Sequence, residues 1–245
     1  MMKIVRTSLL LLLFLPVLLH SQSGQHTQML AGGMMGLGVR WQQGTITIGD
    51  GSYECCRFTD GNGLGLTGGM RILYALNDVS TLRGGVAWER VVSEYDASRK
   101  NHPILGRGNR VEYVSLQEDL KIRFSGISVE LGFVYRLYRP GMYVAVIPTI
   151  TIPTTVEWKS TETITAPEGV RYLDGSRSKV LIDEPMPDLN SYFSLRFGTG
   201  ALFPITEDLM LNPEMLFAIP VTNAHSVYSW SMSGFDLTLG LLYRI

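Results

Sequence analysis

The sequence predicts an all-β chain closed into a single up-and-down antiparallel transmembrane β-barrel of about eight strands. Three observations carry this reading: eight segments alternate apolar and polar residues with period 2, their connections alternate between short and long, and the alternation runs to the last residue. Of the 245 residues 45% are hydrophobic and 18% charged, with 26 glycines and a formal net charge of −1. A chain this apolar has a face to bury, and its near-neutral balance supplies no basic surface for nucleic acid.

The N-terminus comes first. Lys3 and Arg6 precede the apolar run Ser8 to Leu19, and the small and polar stretch "HSQSG" follows, which is the layout of a secretory signal peptide. The run spans 12 residues, whereas a spanning helix needs roughly 20. Export with cleavage between Ser21 and Ser23 is therefore expected, giving a signal peptide over 1–22 and one barrel domain over 23–245. No Cys stands near that site, which argues against a lipid-anchored N-terminus.

The strands follow in order. In "AGGMMGLGVRW" Ala31, Met35, Leu37, Val39 and Trp41 share one face, with Met34 and Arg40 on the other. "LGLTGGMRILYAL" sets Leu64, Leu66, Met70, Ile72 and Tyr74 against Thr67 and Arg71; "LRGGVAWER" sets Leu82, Val86 and Trp88 against Arg83 and Glu89. "ISVELGFVYRL" places Ile127, Val129, Leu131, Phe133 and Tyr135 opposite Ser128, Glu130 and Arg136, and "RPG" turns the chain into "MYVAVIPTITI". "SYFSLRFGTGALF" carries Arg196 opposite Phe193, Leu195 and Phe197. "LMLNPEMLFAI" carries Asn212 and Glu214 opposite Leu211, Met215 and Phe217. The segment from Ser231 to Ile245 completes eight.

The connections after strands two, four and six are tight. Those after one, three, five and seven are longer: Gln42 to Gly63, Val92 to Gly126, Pro153 to Leu189 and Pro220 to Trp230. Short turns at one end and long loops at the other are the asymmetry of an outer-membrane barrel, and an even count returns both termini to the periplasmic side. "YVSLQEDLKIRF", Tyr113 to Phe124, also alternates; it is read as an outward extension of strand four, with a register-shifting bulge at Ser125 and Gly126. Ten strands would result if "TTVEWKSTETI" were a stave of its own.

Alternation does not say which face points inward, because a soluble carrier barrel hides its apolar face and a membrane barrel displays it. The non-apolar face decides. It holds Arg40, Arg71, Arg83, Arg136, Arg196 and Arg244 with Glu89, Glu130, Glu214 and Asp236, interleaved with glycines. A narrow lumen suits that mixture: long guanidiniums reach across to carboxylates, glycines leave them room, and each buried charge needs a partner. Trp41, Trp88 and Trp230 at the loop ends, and Tyr74, Tyr138, Tyr143 and Tyr243 near the turn ends, are expected to form two aromatic girdles.

The final octet "TLGLLYRI" resembles the C-terminal signal read by the barrel-assembly machinery, with Thr238, Gly240, Tyr243 and Ile245 in its positions and Ile replacing the usual terminal Phe. "CCRFTDGNGLGLTGG", "YRLYRPGMYV" and "LMLNPEMLFAIPVTN" resemble the PorT-like outer-membrane β-barrel family, whose small barrels are sometimes followed by an OmpA-like peptidoglycan-binding domain. The resemblance implies residence in the bacterial outer membrane, contact with its lipid, and passage through periplasmic chaperones and the assembly machinery. It implies no cofactor, and fold alone does not imply function.

Candidate chemical sites are few. Cys55 and Cys56 are adjacent in the first long connection, where they could pair with each other, bridge to another chain or stay as two buried thiols. Their spacing is wrong for zinc. His102 and His225 stand alone, and His225 beside Ser226 is not a nucleophile with its base, since neighbours in an extended chain point apart. "GDGSYE" and "DGNG" read as turns, without the ligand set of a metal loop. Arg99, Lys100, Arg107 and Arg110 make the second connection basic, either as a solvated loop or as a contact for lipid phosphates. The expected function is a non-enzymatic surface protein with a charge-filled lumen and no wide pore; a lipid-modifying barrel enzyme and a soluble carrier of a small apolar ligand are the alternatives.

Overall fold

The computed structural model of the protein describes residues 29–49, 54–106, 110–137 and 141–245. The expected signal peptide lies outside them. Strands are β1 (Met29–Gly49), β2 (Glu54–Ala75), β3 (Ser80–Gly106), β4 (Arg110–Arg136), β5 (Met142–Ala166), β6 (Ser178–Pro185), β7 (Tyr192–Ala201), β8 (Phe203–Pro204), β9 (Leu209–Pro220) and β10 (Ser231–Arg244). Eight of them close a ring: β1 to β5 are paired in sequence, β5 pairs β7, β7 pairs β9, and β10 pairs both β9 and β1. β6 lies off the ring against β5, and β8 is a two-residue pairing on β9. The seam runs from Leu30 opposite Arg244 to Gln43 opposite Ser231, so the alternating end of the chain is the stave that meets the first strand.

The outward face is apolar over a band. Along β2 it shows Leu64, Leu66, Met70, Ile72 and Tyr74, with Met70 75% and Leu64 72% exposed. A stretch of that length, tilted, spans the ~25 Å apolar band of a barrel in a membrane. The apolar face is therefore outside, which sets aside the carrier with an apolar interior.

Three of the four expected long connections prove to be mostly paired strand. β3 and β4 stay in register from Ser80 opposite Tyr135 to Gly106 opposite Arg110, and β4 continues with β5 as far as Ser115 opposite Ala166. "TTVEWKSTETI" is the upper half of β5, so the ring has eight staves and not ten. The result is lopsided. β1 to β5 run 21–27 residues and form a tall wall, while β7, β9 and β10 have 10, 12 and 14.

The chemistry of each face inverts with height. On β4 the even-numbered residues face inward throughout, and these are Glu130 and Ser128 within the band but Phe124, Ile122, Leu120 and Leu116 above it. The outward residues change in step, from Leu131, Val129 and Ile127 to Arg123, Lys121 and Asp119. The surroundings explain the swap: lipid selects apolar side chains outside and leaves charges for the lumen, whereas water above the band does the reverse.

The bulge near Ser125 exists, but it belongs to β5. Ser125 pairs Thr155 and Gly126 pairs Pro153, which leaves Thr154 as the extra residue. Parity on β4 is unbroken, while on β5 the buried positions pass from odd (Tyr143, Ile147, Thr151) to even (Val156, Trp158, Ser160). Pro153 has no N–H for the ladder, so the irregularity falls where a donor is already missing.

Candidate functional site

The lumen at band height is filled by paired charges. Arg71 reaches Glu214 at 2.6 Å, Arg83 bridges Glu214 at 2.6 Å and Glu130 at 2.8 Å, and Arg196 reaches Glu130 at 3.1 Å and also Glu89. Arg40 and Asp236 form a separate pair at 2.7 Å. All eight side chains are almost fully buried, and four guanidiniums against four carboxylates leave no net charge. Each ion sits on an inward position of its own strand, and ring closure brings together residues as far apart in the chain as Arg40 and Asp236.

Neutral groups complete the network. Tyr143 donates its hydroxyl to Glu214 at 2.6 Å, Asn212 accepts from Arg71 at 2.8 Å and donates to Tyr143 at 2.5 Å, and Thr238 donates to Glu214 at 3.2 Å. Glycine supplies the space. A Cβ on Gly38 would overlap Asp236 Oδ1 and Arg40 Nη1, and one on Gly200 would come within 2.5 Å of the Tyr143 ring and hydroxyl. These positions tolerate glycine's cost in a strand because a guanidinium or a phenol occupies the vacated volume.

Apolar layers close the lumen at both ends. Above the charges Ile46, Phe58, Leu120, Ile122, Phe124, Val156, Trp158 and Trp230 pack into a plug. Its underside is polar: Trp230 Nε1 donates to Gln42 Oε1 at 3.0 Å, Gln42 Nε2 donates to Ser93, and Tyr95 donates its hydroxyl to Gln42. Below the charges lie Leu30, Leu73, Val134 and Leu242, and the same cluster reaches up beside them through Ala145, Ile147 and Leu216.

Several expected site residues sit elsewhere. Arg136 is not in the network: it is half-buried as the last residue of β4, at the short-turn end beyond Glu130, and forms no ion pair among the described residues. Tyr143 is a lumen residue and not part of a girdle, because odd positions of β5 point inward there. Trp230 is fully buried in the plug. Trp41, Trp88, Tyr74 and Tyr243 do stand on the outer surface, and Tyr138 lies outside the described residues. Thr238 and Gly240 of the terminal octet face the lumen; Tyr243 and Ile245 face outward. The Cys55 and Cys56 side chains lie outside the described residues, although their backbone belongs to β2.

The outer half carries a second polar cluster that sequence reading missed. Arg99 points inward to Glu118 and, at 3.2 Å, to Glu162, and Tyr172 donates to Glu162 at 2.7 Å. Burial raises the Glu118 pKa, with the Arg99 guanidinium opposing it. The basic connection is thus partly spent internally, while Lys100 and Arg110 remain exposed and Arg107 lies outside the described residues. His225 Nδ1 accepts the backbone N–H groups of Val227 and Tyr228, both at 3.0 Å, and Ser226 Oγ donates to the Asp188 carbonyl at 3.1 Å. The imidazole and the hydroxyl are each engaged with backbone. Among the described residues no group of three or more His, Cys, Asp or Glu side chains converges as metal ligands would.

No protein-family model matches the chain, and no curated protein matches it by sequence. Solved structures similar to it are bacterial outer-membrane β-barrels. The attachment invasion locus protein Ail of Yersinia pestis is 14% identical, with 88% of this chain and 98% of Ail covered and a TM-score of 0.32. The outer membrane protease OmpT of Escherichia coli is 10% identical, with 92% and 100% covered and a TM-score of 0.34. The outer membrane protein AlkL is 12% identical, with 92% and 93% covered and a TM-score of 0.41. At those scores the likeness carries no argument, and the barrel rests on this chain's own closed ring of strands and outward apolar band.

Proposed function

We propose that the protein is an integral outer-membrane β-barrel of structural and surface-interaction type, without catalytic activity, whose tall external wall carries its contacts. The observation that carries the reading is the lumen, where four cations are matched to four anions beneath the apolar plug, an arrangement that supports a sealed interior. An eight-stranded ring has an interior just wide enough for side chains to fill. The short connections would face the periplasm and the tall wall the outside, with lipid around the band and the assembly machinery and periplasmic chaperones met on the way. The PorT-like resemblance in the sequence accords with this reading. The engaged states of His225 and Ser226 weigh against a lipid-modifying enzyme built on that pair.

The test is heat-modifiability in an outer-membrane fraction combined with planar-bilayer recording. A band that shifts on boiling, with no stepwise conductance, is expected. Steady single-channel steps from the wild-type barrel would overturn the sealed lumen.

A further inference from the structure

A cavity of about 190 Å³ opens at the short-turn end of the ring, below the charge network. Its walls are apolar, with Leu30, Leu73, Val134 and Met210, and Tyr143 lies on its inner side. Two arginines line it as well. Arg136 is on β4, opposite Tyr143 in register, and Arg244 is on β10, opposite Leu30. β4 and β10 are four places apart in a ring of eight, so the two guanidiniums stand on facing walls.

The lumen charges above them already cancel, and neither arginine has an ion pair among the described residues. Arg244 Nε is buried without a hydrogen-bond partner. So is the hydroxyl of Thr81, a residue 3% exposed that also lines the cavity. Buried donors are almost always satisfied in native proteins. Here two unsatisfied donor groups and a second, unpaired guanidinium surround one apolar hollow, and the excess charge is positive.

We infer that this cavity is a binding site for a small monocarboxylate whose apolar body has about six to eight carbons. The volume sets the size: an apolar cavity of ~150 Å³ accommodates benzene. The arginines set the charge, since charge-assisted hydrogen bonds to a carboxylate in a partly buried site are the strong ones. The wall sets the shape, because the side-chain hydroxyls it offers a polar body are that of Thr81 and that of Tyr143, and the latter is engaged with Glu214 and Asn212.

The probe is 3-phenylpropionate, measured by calorimetry on the barrel in phosphatidylcholine nanodiscs, with 3-phenylpropionamide as the neutral isostere. The acid is expected to bind at least about tenfold tighter than the amide. Arg136→Gln and Arg244→Gln should each cost about tenfold in acid affinity and leave the amide unchanged, and the pair together should abolish the preference. Both side chains are only half-buried, so the variants are expected to retain the boiling shift; Leu73→Trp, which fills the hollow, should abolish binding of both ligands. Equal affinity for acid and amide, unchanged affinity in the arginine double variant, or no heat at millimolar acid would each overturn the assignment.

Discussion

Asp236→Asn is the perturbation that tests the lumen most directly. Asp236 is the one carboxylate paired with Arg40, at 2.7 Å, and both are nearly fully buried. The next carboxylate, Glu89, is held by Arg196. Removing the charge leaves a buried guanidinium uncompensated, which costs about 3 to 5 kcal/mol. Arg40→Met strands the carboxylate instead, with Asp236 Oδ2 already lacking a partner, and a loss of the same order is expected. Replacing both, Arg40→Met with Asp236→Leu, removes the two desolvation penalties together and should return the barrel to within ~1 kcal/mol of the parent. The measurement is urea unfolding in phosphatidylcholine vesicles, followed by tryptophan fluorescence and by the boiling shift, arranged as a double-mutant cycle. The two sites then show a coupling of several kcal/mol. Additive losses within about 0.5 kcal/mol would mean that the pair is solvated, and the account of a sealed lumen would fail with it.

Three further outcomes follow from the same structure. Gly38→Ala should destabilise the barrel by about 1 to 3 kcal/mol through overpacking against the Arg40 and Asp236 pair, read in the same urea series; a neutral effect would show that the pair can move aside. Burial lowers the His225 pKa from 6.5, so its stabilising neutral form is fully present above 6.5 and is lost as pH falls through the folded value; amide exchange at Val227 and Tyr228 should accelerate on acidification, and His225→Phe should remove that dependence. Burial raises Glu118 above 4.5, so its contribution is fully present below 4.5 and is lost as pH rises through the folded value. The outer ends of β3 and β4 should therefore exchange more slowly toward acid pH, the opposite sign to His225, and Glu118→Gln should flatten that slope.

Much of the barrel was legible because period 2 is a direct record of which side of a sheet a residue faces. "LGLTGGMRILYAL" and "ISVELGFVYRL" assign their faces without help, and the residue types on the inner one announce a lumen needing paired charge. Tyr113 to Phe124 was legible as strand for the same reason. What misled was the assumption that one face keeps one chemistry. Leu116, Leu120 and Ile122 lie on the same inward face as Glu130, but above the band the solvent outside is water, so the alternation persists while its meaning reverses. Tyr143 and Trp230 went astray similarly: an aromatic near a strand end suits a girdle by position, and only the direction of its Cα–Cβ bond separates the lipid face from the lumen.

The sequence by itself determined the alternating staves, an inward face carrying the four carboxylates and the arginines that meet them, and the end at which the connections are short, because these depend on local periodicity and composition. Only the tertiary structure decided which charge meets which, that Arg136 stands apart with Arg244 over an apolar hollow, and that Thr154 carries the bulge. Those relations are set by ring closure and strand stagger, which join residues such as Arg40 and Asp236 across 196 positions of chain. A period of two records the face of each residue and carries no information about its neighbour on another strand.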